Sequence, residues 1–435
     1  MKGSIRYLAA AVAATVSIGI IAAVVILVWP HHTPPRVLSQ TISPELVARG
    51  RYVAAAAGCE ACHSTEGRAA LSGGRPFVLP FGTVYSTNIT PDKATGLGGW
   101  TAGDFLRAMH DGVRADGSDL YPAFPYTAYH AMTDSDVLAL WAYLATVPAV
   151  HAPAPKNSLR FPFNQRRLIR LWNFLFMPSD AAAGSGASGE GEVNRGYYLV
   201  NALTHCGECH TPRNLFYGLE RGKALSGEVT SGWAAWNITS DRLHGIGDWS
   251  VEELVNYLRS GYAPGRAVAS GPMNEIVKMS LSQLSSGDLR AMAIYLKRVP
   301  PSDNGPAVSS PAEAMASSSS FGPSAAEEDS RGRQIFAGAC GGCHGWNGAG
   351  QQQATAALRG LRSVRDPTGL NVVQTILQGS SIVLPTGRES MPGFARSLSD
   401  GELSAVASFV TMHFGGQRDQ ISARDAHAIR TGPSG

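Results

Sequence analysis

Three stretches of the chain share one pattern of apolar and polar positions: "TDSDVLALWAYL" (133–144), "SSGDLRAMAIYL" (285–296) and "SDGELSAVASFV" (399–410). Each opens on Ser or Thr with Asp or Glu three residues later, the capping-box pattern that starts a helix. Each has Ala three residues after that acid and an aromatic ring seven after it (Tyr143, Tyr295, Phe409), on one helical face. The small residue predicts a close helix crossing and the ring predicts packing on the partner helix. Upstream of each stands an Arg-Gly pair in an apolar segment: "ARGRYVAAAAG", "NRGYYLVNALTH" and "SRGRQIFAGA". A glycine where another helix crosses closely fits all three. The chain is therefore a threefold repeat, and the helical periodicity predicts an all-α fold.

One apolar run stands outside the repeat. Leu8 to Trp29 carries no charge, and Lys2 and Arg6 precede it. Its length matches the ~20 residues that cross a bilayer core. It ends in "WPHHTPP", without the small-residue cleavage pattern of a signal peptide. The expectation is an uncleaved transmembrane anchor over residues 1–30 with a cytoplasmic start, a removed signal peptide being the alternative. Either exports the remainder. Stretches rich in Ser, Ala, Gly and Pro, "AAAGSGASGEGE" (181–192) and "SSPAEAMASSSSFGPSAAEE" (309–328), read as linkers. The resulting organisation is an anchor (1–30), domains over 40–155, 191–300 and 327–416, a crossover and linker (156–190), a second linker (301–326), and a polar tail (417–435).

Composition changes little: 435 residues, 44% hydrophobic, net charge +3. That excludes wholesale disorder and gives no footprint for nucleic acid. The cysteines change everything. There are six, and all fall in "CEACH" (Cys59, Cys62, His63), "CGECH" (Cys206, Cys209, His210) and "CGGCH" (Cys340, Cys343, His344). C-x-x-C-H is the attachment signature of c-type haem. Two thiols one turn apart can each bond a haem vinyl group, and the adjoining imidazole reaches the iron from the same side. A redox dithiol needs no histidine, and histidine would follow all three pairs by chance only about 2 times in 10⁵. Zinc would need pairs of C-x-x-C, and three leave one set incomplete. Three covalent haems are expected.

Repeats one and two also share N-I-T-x-D-x-x-x-G-[LI]-G-x-W, at 88–100 and 237–249. The loop lines a haem edge or is a structural turn; a glycosylation sequon carries little weight here. Electron-transfer haems of this type are usually held by His and Met. Repeat three offers Met391 in "ESMPGF", and repeat two offers Met273 in "SGPMNEI". Aligned from Trp249 onto Trp100, Met273 falls on Phe124 in "LYPAFPYTAYHAM", and phenylalanine cannot bind iron. Met132 is the substitute expected there; another Met or His (His110, His130) and an open site are the alternatives. Met109 and Met292 read as core. The segment 160–176, with Arg160, Arg166, Arg167 and Arg170 among Phe161, Phe163, Trp172, Phe174 and Phe176, reads as a membrane- or quinone-facing surface or as a strap between repeats.

These motifs, with "LYPAFPY" and "FPFNQRRLIRLWNFLF", resemble the triple-haem cytochrome c subunit of membrane-bound periplasmic dehydrogenases, over about residues 40–415. That family serves quinoprotein alcohol dehydrogenases, flavin-dependent gluconate, sorbitol and fructose dehydrogenases, and some molybdenum hydroxylases. The resemblance implies three tandem class I cytochrome c domains and a chain that is not itself the enzyme. It would take electrons from a dehydrogenase catalytic subunit and deliver them to ubiquinone, a soluble cytochrome or a terminal oxidase. The haem domains would lie on the periplasmic side of the bacterial inner membrane. The family commonly reads Y-P-A-M-P-Y with a ligand methionine, so Phe124 is a departure. It is similar to the variant found with molybdenum hydroxylase partners. Two rivals stay open at this point: a haem peroxidase using an open first iron, told by peroxide turnover, and a terminal-oxidase subunit, told by co-purification.

Overall fold

The structure is a computed structural model and describes residues 41–178, 191–306, 330–417 and 420–432, with Tyr7, Ser17 and Gly19 alone among the first forty. Each repeat opens on a helix that runs into its C-x-x-C-H turn. In the first, Pro44–Ala56 is started by Ser43, whose hydroxyl accepts from the Leu46 N–H, and Gly58 in the left-handed region turns the chain into Cys59–His63. In the others, Glu192–Tyr198 and Ser330–Ile335 pass through π turns, Leu199–Leu203 and Phe336–Cys340, before their own short helices. The stretch between glycine and first cysteine differs in length among the repeats. The left-handed residue or the π turn absorbs that difference.

The closing helices are Asp134–Leu144, Ser286–Leu296 and Asp400–Gly415, each capped as the spacing predicts by Thr133, Ser285 and Ser399. Opening and closing helices cross at the anticipated residues. A Cβ on Gly50 would run into the Ala139 carbonyl, on Gly196 into that of Ala291, and on Gly332 into that of Ala405. Tyr143, Tyr295 and Phe409 flank the same contacts.

The acids of the caps have a second role. Arg49 Nε donates to Asp136 at 2.7 Å within repeat one, and Arg195 Nε to Asp288 at 2.8 Å within repeat two. Tyrosines three residues beyond those arginines reach across: Tyr198 Oη donates to Asp136 at 2.7 Å, and Tyr52 Oη to Asp288 at 2.6 Å. Repeats one and two are thus joined by a reciprocal exchange and share one core, including Val53, Leu140, Leu199, Leu203 and Leu289. Among the described residues repeat three keeps only the internal pair, Arg331 to Glu402, and it has its own core around Phe336, Val373 and Leu403.

Two expectations are corrected. The fold is not all-α: four small antiparallel sheets occur among the described residues, Pro76–Leu79 with Gly82–Tyr85 and Ser158–Leu159, Glu228–Thr230 with Trp233–Ala235, Tyr262–Ala263 with Ala267–Val268, and Ser380–Leu384 with Gly387–Met391. These strands are two to five residues long, too short for a period-two pattern to stand out. No helix among the described residues is long and apolar enough to cross a membrane, so the expected leading transmembrane helix is not borne out among them. Apart from Ser17 and Gly19, the run Leu8–Trp29 lies outside the described residues, as do positions 181–190 and 307–329 of the linkers. The segment read as a polar tail contains a helix, Ala423–Thr431, started by a Ser422 capping box and seated through Ala426 and Ile421 on the third core.

Candidate functional site

No disulfide joins any of the six cysteines. Burial pushes the Cys59 thiol up to about 12 and those of Cys209 and Cys340 up to about 11, so they stay protonated. The three histidines share one geometry. His63 Nδ1 lies 2.7 Å from the Thr87 carbonyl, His210 Nδ1 2.6 Å from that of Trp236, and His344 Nδ1 2.6 Å from that of Ala356. A carbonyl only accepts, so Nδ1 carries the proton and Nε2 keeps its lone pair. This is how proteins orient a metal-binding imidazole. Burial holds all three below the ordinary histidine value, which keeps them neutral and competent as ligands.

The third site is the most complete. A cleft with about 1170 Å³ of empty space, partly open to solvent, is lined by Cys340, Cys343, His344, Met391 and Phe394. Met391 ends the strand Gly387–Met391, and its loop is held closely: a Cβ on Gly379 would meet the Met391 carbonyl, and Phe394 N–H donates to Ile376. The lining is mostly apolar. Its size, its paired thiols and a histidine and methionine on one cavity fit a haem.

Met273 lies in the first turn of the helix Gly271–Met279. That turn is fixed by Gly271 against the Trp233 ring and by Asn274 donating to the Ser381 carbonyl at 3.0 Å. Met273 packs on the same core as Cys206, Cys59 and Phe124. The Phe124 ring lies 5.4 Å from that of Tyr129, tilted by 57°, and the Tyr129 hydroxyl donates to the Ala57 carbonyl just before Gly58 and Cys59. The aligned position therefore faces the approach to the first C-x-x-C-H. Met132 is buried, 4% exposed, in the shared core, and Met109 and Met292 are core residues as expected. His130 Nδ1 is engaged with the His110 carbonyl.

Several residues near the sites gave no signal in the sequence. Arg75 donates to the Ala61 carbonyl between Cys59 and Cys62 at 2.5 Å and pairs with Glu275, two residues after Met273. Arg213 does the same in repeat two, donating to the Glu208 carbonyl at 3.0 Å. These arginines stand at different distances from their motifs, so no spacing reveals them. His205 Nε2 shares the Ala57 carbonyl at 3.4 Å, and Thr127 reaches Glu208 at 3.3 Å, so sites one and two lie side by side. The N-I-T asparagines are buried turn-formers. Asn88 bonds Thr90 N–H and the Val150 carbonyl, and Asn237 bonds Thr239 N–H and the Ser302 carbonyl, which leaves no sequon exposed.

Segment 160–176 is a strap that leaves an apolar face outside. Tyr126 Oη donates to Asn173 at 2.6 Å, Arg170 pairs with Asp119 at 3.2 Å, and Trp172 Nε1 donates to the Phe216 carbonyl at 2.9 Å. Yet Phe161, Phe174 and Leu175 are exposed, as are Leu215 and Phe216, and Phe176 of the strap meets Phe216 with ring centres 6.4 Å apart.

Covalent attachment motifs on helical units, with carbonyl-oriented histidines, define a c-type cytochrome. The Cytochrome c family model matches residues 47–148 and 330–413. The chain is 36% identical over 407 residues to the fructose dehydrogenase cytochrome subunit of Gluconobacter japonicus, covering 89% of this chain and 83% of that one. It is 34% identical over 405 residues to the gluconate 2-dehydrogenase cytochrome c subunit of Pantoea cypripedii, covering 88% and 89%. It is 38% identical over 413 residues to a nicotinate dehydrogenase subunit of Pseudomonas putida, 92% of this chain but only 33% of that longer protein. The chain belongs to the family of cytochrome c subunits of dehydrogenases. Its prosthetic group is covalently bound haem c, and its work is electron transfer rather than substrate chemistry.

Proposed function

We propose that the chain holds three haems and relays electrons from a periplasmic dehydrogenase catalytic subunit to ubiquinone or a terminal acceptor. The observation that carries this is the histidine geometry repeated at His63, His210 and His344, each with its own thiol pair. Cys59 with Cys62, Cys206 with Cys209, and Cys340 with Cys343 would hold the haems, with His63, His210 and His344 as axial ligands. Met391 and Met273 would be the opposite ligands at the third and second sites, and Met132 that at the first. Haem iron supplies one-electron exchange when bound. The protein orients the imidazoles, excludes water with apolar walls and keeps the thiols unpaired for attachment. The names borne by the relatives favour a dehydrogenase partner over peroxidase or terminal-oxidase work, and the motif resemblance implies one of quinoprotein, flavoprotein or molybdenum hydroxylase type.

The test is intact mass with a haem assay, followed by mixing with the partner dehydrogenase and its substrate. Three haems per chain, all reduced at the pace of substrate oxidation, are expected; fewer haems, or catalytic turnover of peroxide, would sink the relay reading. Met391→Ala should alter the spectrum and lower the potential of one haem while two stay unchanged, because a thioether raises the potential. Met132→Ala should change a different haem, and three unaltered spectra would remove Met132 from the ligand set.

The exposed Phe174 and Leu175 of the strap, with exposed Phe161, Leu215 and Phe216 and the basic Arg160 and Arg167 of the same region, suit a membrane surface and a quinone acceptor. We place the chain there, on the periplasmic side. Phe174→Glu with Leu175→Glu should lower binding to anionic lipid vesicles about tenfold or more at unchanged haem content. Equal sedimentation with vesicles would show that this face does not meet lipid.

A further inference from the structure

The third unit sends one side chain deep into the second. Arg362, in the short helix Arg362–Arg365, is 6% exposed. Its guanidinium donates through Nη1 to the Gly245 carbonyl at 2.9 Å and through Nη2 to that of His244. Both belong to the loop that follows Asn237. Its Cζ lies 5.1 Å from the centre of the Trp236 ring, and its backbone N–H donates to the Arg266 carbonyl at 2.8 Å. Trp236 is the residue whose carbonyl orients His210. A fixed cation therefore stands directly behind the histidine of the second site.

The environment of this cation is unusual. Its Nε is buried and has no hydrogen-bond partner, and among the described residues no carboxylate forms an ion pair with it. Asp366 is buried nearby but is bound to Thr368, and Asp241 is bound to His244. Burial brings the guanidinium down to about 10, so it remains charged at neutral pH. Lys297, from the closing helix of the second unit, holds the same loop through the carbonyls of Gly247 and Trp249. Repeat one offers the internal contrast. Thr87 orients His63 from the equivalent place before Asn88, and no arginine ring contact is formed there among the described residues.

The geometry points to Arg362 as a positioning residue through which the third unit raises the reduction potential of the second haem. Oxidised haem iron carries one more positive charge than reduced iron, so a desolvated cation behind its ligand disfavours the oxidised form. The bond to the loop makes that charge depend on the docking of the third unit. The exchange is one electron at the second haem, with no bond made or broken. The inference rests on the assignment of Cys206, Cys209 and His210 as a haem site.

The test is potentiometric titration of the full, haem-loaded chain, native against Arg362→Gln, followed spectrally. A Cys206→Ser, Cys209→Ser chain identifies the second wave by its loss. If mass shows no haem attached at Cys206 and Cys209 in the native chain, the site assignment fails and takes this inference with it, whatever Arg362→Gln does. With that haem present, the second wave should move to lower potential. The oxidised-to-reduced ratio at the native midpoint should rise about threefold or more, with the other waves in place. A purely structural clamp would lower thermal stability and move no wave. Three unmoved waves, or a shift of the third alone, overturn the proposal. Should Arg362→Gln fail to load three haems, Arg362→Met is measured instead. It keeps a long apolar stem and removes the charge, so the second wave must again fall, and an unmoved wave overturns the proposal.

Discussion

Gly196→Ala should destabilise the protein by about 3 kcal/mol, and Gly196→Val by more, read as a fall in the denaturant midpoint. The added Cβ meets the carbonyl carbon and oxygen of Ala291 and the Cβ of Tyr295. Two of these are backbone atoms of a helix that is itself packed on the shared core, so they cannot swing aside as a flexible side chain would. Separating the helices instead would open the contacts of Leu199, Leu203 and Leu289 and loosen the Arg195–Asp288 and Tyr52–Asp288 bonds. Gly287→Ala is the control. It lies in the first turn of the same closing helix, and its nearest neighbour is the Ser285 hydroxyl at 3.9 Å. That change should be neutral or stabilise by about 0.5–1 kcal/mol. Equal effects of the two substitutions would contradict the crossing argument.

Cys340→Ser with Cys343→Ser should remove one haem from the chain, seen as the loss of one haem mass, and leave two. The third unit has its own core, and its cleft takes Val268 and Ser270 from the second unit but no cysteine or histidine, so the sites at Cys59 and Cys206 should retain their spectra. The emptied cleft of about 1170 Å³ should cost the third unit its bound-ligand stabilisation and lower its melting first. The same double change at Cys206 and Cys209 should be less local. That site abuts the first through His205 and Ala57 and packs on the core both share, so the spectrum of the first haem should change as well. A third-unit variant that perturbs all three haems would show that the units are not separable in this way.

The difference between these outcomes follows from contacts that the repeat pattern does not carry. Arg49 and Arg195 are visible as Arg-Gly pairs, and the acids they meet are visible as caps. The exchange of Tyr52 and Tyr198 is not, because a tyrosine beside an amphipathic stripe reads as core until its hydroxyl is seen on an acid of the other repeat. Phe124 could be placed as a substituted ligand position from internal alignment. Its ring contact with Tyr129, and the burial of Met132, appear only in the packed molecule. The hairpins escape the sequence pattern because two to five residues hold too little alternation to distinguish a strand from a loop.

By itself, the sequence determined the threefold repeat, the three C-x-x-C-H motifs, the helix caps and the glycine–alanine crossings. These are local, set by spacings of three, four or seven residues that the helix period converts directly into contacts. Tertiary structure alone decided that repeats one and two close into a single body, that a strap leaves an apolar face outside, and that Arg75, Arg213 and Arg362 stand over the C-x-x-C-H turns and the loop behind His210. A long side chain reaching a backbone carbonyl needs no particular partner residue, so it leaves no pattern along the chain.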